Sequence, residues 1–133
     1  MKNLFVESSY ACHVPDRRMD GHLLSFDLPI LIDRLKKEDA WKIGDRNAIT
    51  LYKNRNSTTV LIALRAKSEI NFHQSGNHCS IQVIEGILTF KTQLRAIVMN
   101  KGCLLSVYED LEHNLIAVDE SVILLTVIVG SRV

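Results

Sequence analysis

The chain has 133 residues, of which 47% are hydrophobic and 23% charged, with a net charge of +1. That is one domain's length, enough to bury a core without disulfide or metal staples, and the composition excludes a disordered chain. The near-neutral balance excludes the basic field of a nucleic-acid binder, and three scattered cysteines (Cys12, Cys79, Cys103) with no CxxC exclude a disulfide framework.

Residues 1–26 show no clear period. Their start, "MKNLFVESSYACHV", has one lysine and no long apolar core, so it does not read as a signal peptide. The longest strongly apolar run, "VILLTVIV" at 122–129, is far short of the about 20 residues a membrane helix needs. A cytoplasmic protein that engages neither membrane nor nucleic acid is expected. "DLPILIDRLKKEDAW" reads as one short helix: Asp27 caps it, Pro29 falls in the first turn, and Leu28, Leu31, Ile32 and Leu35 form one stripe. "RLKK" at 34–37 reads as its wet face, and Gly44 in "KIGDRN" ends it.

From Ala48 the chain changes character. "AITLYK" and "TTVLIALRA" are strand-forming runs separated by the polar turn "NRNS". "EINFH", "CSIQVIEG", "ILTFKT", "LRAIVMN", "CLLSVYE", "HNLIAV" and "SVILLTVIV" follow, most of them set apart by turn residues. Many short strands at this spacing predict an antiparallel sandwich or barrel rather than a βαβ fold. The organisation expected is an N-terminal segment over 1–44 with one short helix, then a barrel over 45–133, in one structural domain.

Two strands are apolar on both faces. In 121–129, Val122, Leu124 and Ile128 point one way and Ile123, Leu125, Val127 and Val129 the other; in 58–66, Leu61 and Ala63 oppose Val60, Ile62 and Leu64. A half-solvated sheet alternates more cleanly. Something must cover the second face: the N-terminal helix for part of it and a second subunit for more, which predicts a homodimer through a sheet face or edge. The alternative is that residues 1–26 wrap back as an extra strand.

"HQSGNHCSIQVIEG", residues 73–86, carries two histidines and a cysteine ahead of an alternating run. Alternation puts Cys79, Ile81 and Val83 on one face and Ser80 and Gln82 on the other. This stretch resembles the first motif of the cupin family, His-x-His, then Glu, then Gly seven residues past that Glu. Counting back from Gly86 puts Cys79 at the Glu position and His73 and Ser75 at the two His positions. The second motif resembles Gly-x5-Pro-x-Gly-x2-His. "GCLLSVYEDLEH" supplies Gly102 and His113 at matching spacing, with Tyr108 at the proline position and Asp110 at the second glycine. "AVDESVILLTV" is similar to the last barrel strand of many small cupins, and the resemblance spans roughly 45–129.

The resemblance implies an all-β cupin jelly-roll barrel, a double-stranded β-helix, with a short N-terminal helical lead-in. It implies that His73, Ser75, Cys79 and His113 converge inside, where with Ile81 and Val83 they line a ligand pocket. Typical cupins hold Fe, Mn, Ni or Zn with three imidazoles and a carboxylate, leaving positions open for substrate or dioxygen. Here the carboxylate and one imidazole are replaced, so no cofactor is expected and the site reads as degenerate. The alternative is a divalent metal on His73, Cys79 and His113, with His78 swinging in from the loop as a further donor. Glu109, Asp110 and Glu112 beside His113 read as a solvated hairpin, or else as an acidic lip selecting cationic or polyol ligands. Trp41, Tyr52 and Tyr108 are candidates for a pocket mouth, against a packing role.

Three functions follow. The first is a small-molecule-binding cupin of unassigned activity, its ligand unknown. The second is a metal-dependent enzyme, a dioxygenase or isomerase, using His73 and His113. The third is a sensing or structural dimeric module; no helix-turn-helix follows residue 133, so any DNA output would need another chain. Fold resemblance alone does not decide among them.

Overall fold

Asp27 starts the first helix as its chemistry requires. Its Oδ1 accepts from the Ile30 backbone N–H at 3.1 Å, and Pro29 sits in the first turn of α1, Leu28–Leu35. The structure, a computed structural model, describes residues 22–72, 78–107 and 112–128. The single helix expected over 27–41 is two: the chain breaks at 36–38 and resumes as α2, Asp39–Ile43. The break has a packing reason. At about 100° per residue, Trp41 in an unbroken helix would point far from the Leu31–Leu35 stripe. Breaking the helix lets Leu31, Ile32, Leu35 and Trp41 all enter one core.

All nine expected strands form: β1 Arg46–Lys53, β2 Ser57–Leu64, β3 Glu69–Phe72, β4 His78–Glu85, β5 Ile87–Lys91, β6 Ala96–Asn100, β7 Leu104–Val107, β8 His113–Ala117 and β9 Ser121–Ile128. They make two antiparallel sheets, ordered β1-β2-β9-β4-β7 and β3-β8-β5-β6, the crossed order of a jelly roll. The inner faces enclose one core that includes Ile62, Leu64, Ile81, Val83, Leu88, Met99, Leu115, Ile123 and Leu125.

The double-faced strands find cover on both sides. Leu61, Ala63 and Val122, on the outer face of β2 and β9, lie in a second core with α1 and α2. Much of the faces that prompted the expectation of a partner subunit is therefore occupied within the chain, whereas Ile128 stays 39% exposed. Of residues 1–26, the alternative cover, 1–21 lie outside the described residues and 22–26 form no strand. Lys36, read as wet helix surface, instead fastens α1 to two turns, at 3.3 Å from Glu85 Oε1 and 2.8 Å from Glu120 Oε2. Burial lowers its pKa, but the hydrogen bond to Glu120 and the charges of both glutamates outweigh that and raise it overall. Trp41 and Tyr52 do not line a pocket mouth. Trp41 is 5% exposed, with the Arg65 guanidinium 4.2 Å from its ring centre, and Tyr52 stacks with Phe26 at 6.3 Å.

Gly86 and Gly102 hold the turns that set the register. Gly86 has φ +93, and a Cβ there would lie 2.2 Å from Ser121 Oγ and 2.5 Å from the Glu120 carbonyl oxygen. Gly102, φ +90, sits at the third position of the Asn100–Cys103 turn, where a type II turn needs a positive φ.

Candidate functional site

β3 ends at Phe72 and β8 begins at His113, and these two residues are paired. β4 begins at His78 and β7 ends at Val107, with Cys79 paired to Val107. The end of β3 thus lies beside the start of β8, and the start of β4 beside the end of β7.

His113 faces inward. It alternates with Asn114 and shares its face with Leu115 and Ala117, which are 0% and 1% exposed. Its Nε2 is buried, and its ring lies 4.8 Å from that of Phe90, tilted by 38°. Cys79 stands on the opposite wall, on the inner face of β4, in the core with Val107. Burial pushes its thiol pKa up, which keeps the sulfur protonated at neutral pH. Ile81 and Val83 continue the same face but are 0% and 1% exposed, packed deeper in the core. His73 and Ser75, with Tyr108, Glu109 and Asp110, lie outside the described residues.

His78 requires a correction. It is the first residue of β4, on the face of Ser80 and Gln82, and is hydrogen-bonded through Nε2 to Ser106 Oγ at 2.8 Å. Strand alternation turns it away from Cys79, so it is not a third donor inside the barrel. Among the described residues, no group of three His, Cys, Asp or Glu side chains could hold a metal ion. For Cys79 to coordinate a metal its buried thiol would have to lose its proton.

A cleft of about 360 Å³ opens beside His113. Asn71, Asn114 and Lys91, which are neighbours across β3, β8 and β5, form one side; Thr92, Gln93, Glu112 and His113 close its end. Of the expected pocket residues that are described, His113 lines this cleft, whereas Cys79, Ile81 and Val83 do not. Sequence reasoning passed over Asn71, Asn114 and Lys91. Asparagine is depleted in strands, so two in apolar strands were a readable signal, but their pairing is a matter of register.

No family model matches the sequence, and no curated protein matches it. Solved structures do match. A cupin superfamily protein from Desulfitobacterium hafniense matches with a TM-score of 0.61 at 9% identity, over 64% of this chain and 78% of that one. A conserved protein of unknown function from Streptococcus pyogenes matches with a TM-score of 0.65 at 16% identity, over 86% of this chain and 96% of that one. Salicylate 1,2-dioxygenase from Pseudoaminobacter salicylatoxidans matches with a TM-score of 0.67 at 15% identity, over 78% of this chain but 34% of the dioxygenase. The chain has the cupin fold, a jelly-roll barrel preceded by short helices. At these identities the likeness is one of fold. Among the described residues, no helix is long and apolar enough to cross a membrane.

Proposed function

We propose that this chain binds a small polar molecule at the barrel end where His113 stands. The carrying observation is the cleft itself: an inward-facing imidazole borders about 360 Å³ of open space whose other lining side chains are polar. Carboxamides, a hydroxyl, an amine and a carboxylate offer both donors and acceptors, as a site for a small polar ligand requires.

The test is a fragment titration read by NMR, using a panel of small carboxylates, amines and polyols. Binders should shift the His113 ring and Asn114 amide resonances together, and His113→Leu should remove the response. A panel that leaves both sets unmoved, while the protein stays folded, overturns the reading.

A second reading, a metal-dependent enzyme using His73 and His113, draws support from the inward position of His113, which pairs with Phe72. Elemental analysis of untagged protein separates the two. Near one-to-one Fe, Mn, Ni or Zn, lost in His113→Ala, would replace the first reading with the second.

A further inference from the structure

The helices cover one sheet only. On the outer face of β3-β8-β5-β6, among the described residues, Val98 is 63% and Val118 51% exposed, and Ile116, Thr89 and Ile87 are half-buried. The strand register orders this face into rows. One row reads Glu69, Ile116, Thr89, Val98; the next reads Asn71, Asn114, Lys91, Ala96. The face thus carries mostly aliphatic side chains in one row and two carboxamides in the next, with one acid and one base set two strands and two residues apart. Among the described residues neither Glu69 nor Lys91 has an ion-pair partner. Asn114 Nδ2 donates to Glu69 Oε2 at 2.6 Å, which lays the carboxylate along the face rather than out into water.

We propose that a second copy of this chain packs on this face across a two-fold axis. The lattice of a sheet, about 4.8 Å between strands and about 6.8 Å between same-face residues, allows the axis to be placed. An axis crossing β8 between Asn114 and Ile116 carries Glu69 of each copy over the partner's Lys91. That same axis carries Val98 over the partner's Val118, which follows β8 and donates its N–H to the Ile87 carbonyl at 2.8 Å, so two exposed aliphatic side chains meet. One operation therefore pairs both charges and buries both valines, the self-complementarity an isologous interface needs. The sheet face is roughly 19 Å by 17 Å, about 320 Å² per copy and about 650 Å² for the pair, below the about 1,000 Å² of a stable interface, so a weak dimer with a dissociation constant on the order of 100 µM is expected.

Lys91 and Asn114 also line the cleft, so the second copy borders it. The oligomeric state is read without ligand, and its failure leaves the binding proposal standing. The experiment is sedimentation velocity over about 1 to 200 µM. Wild type should move from 15.1 kDa toward twice that mass as concentration rises. Glu69→Lys and Lys91→Glu should each weaken association about tenfold or more, and the double variant should recover most of the loss. Val98→Arg, at an exposed position, should give a folded monomer. A wild type that stays at 15.1 kDa throughout overturns the proposal. So does a dimer indifferent to the swaps, or single losses that the double variant fails to repair.

Discussion

Replacing Gly86 with alanine should be among the most damaging single-methyl additions in this chain. Two costs combine. The backbone at φ +93 is left-handed, which costs an L-residue about 1–2 kcal/mol. The new Cβ would lie 2.2 Å from Ser121 Oγ, 2.5 Å from the Glu120 carbonyl oxygen and 2.7 Å from Ser121 Cα. Two of these three atoms are backbone. The third belongs to a side chain in a residue 1% exposed, where Ser121 Oγ accepts from the Ile87 N–H at 3.2 Å and donates to the Asp119 carbonyl at 2.7 Å. Overpacking of this kind costs about 1–3 kcal/mol, and a strained hydrogen bond about 1 more. The sum, about 3–6 kcal/mol, is a large share of the 5–15 kcal/mol typical of a domain. It corresponds to a fall in Tm of roughly 10–20 °C for a chain of this size. Gly102→Ala is the internal control: its φ is +90, but nothing lies within 4 Å of the added Cβ, so the conformational cost of about 1–2 kcal/mol stands alone. Urea unfolding of both variants, with Cm and slope compared, reads the difference directly. Equal losses would refute the argument that close approach of the β8–β9 turn sets the identity of residue 86.

Lys67 is the converse case, a non-glycine at φ +76 whose N–H donates to the Ala117 carbonyl at 2.7 Å; Lys67→Gly should gain up to about 1 kcal/mol, and a loss of stability on thermal unfolding would show the strain argument to be wrong. Trp41→Ala should cost about 3–5 kcal/mol in chemical denaturation, because it empties the helix–sheet core and removes the ring under the Arg65 guanidinium; a loss under 1 kcal/mol would mean the helices contribute little to the fold. The raised pKa of Cys79 gives a pH dependence whose sign is defined: the stability it carries is fully present below the ordinary thiol value of 9.0 and is lost as pH rises from there through the folded value. Wild type should therefore lose stability above about pH 9 more steeply than Cys79→Val, and parallel urea profiles for the two between pH 8 and 10 would contradict this.

Local chemistry was enough to read the strands. Their alternation is a property of each segment, so the two faces of 58–66 and 121–129, the inward set Cys79, Ile81 and Val83, and the capping by Asp27 were all legible without a partner. The two glycines were legible as motif positions, but the reason for one of them was not. Gly102 answers to its own turn, whereas Gly86 answers to a turn 34 residues away that approaches too closely for a methyl group. Where the helix breaks depended on which residues the sheet had to receive, and that placed Trp41 and Lys36 in packing roles their sequence neighbours did not suggest. His78 shows the limit most simply. Histidine next to cysteine reads as a donor pair along a chain, but in a strand adjacent side chains point to opposite faces, so the fold set one inside the barrel and the other on its outer wall. The cleft, and the charges at Glu69 and Lys91, belong to register across β3, β8 and β5. Pairings between segments far apart in the chain carry no mark in any one of them, so tertiary structure alone could decide which polar residues stand side by side.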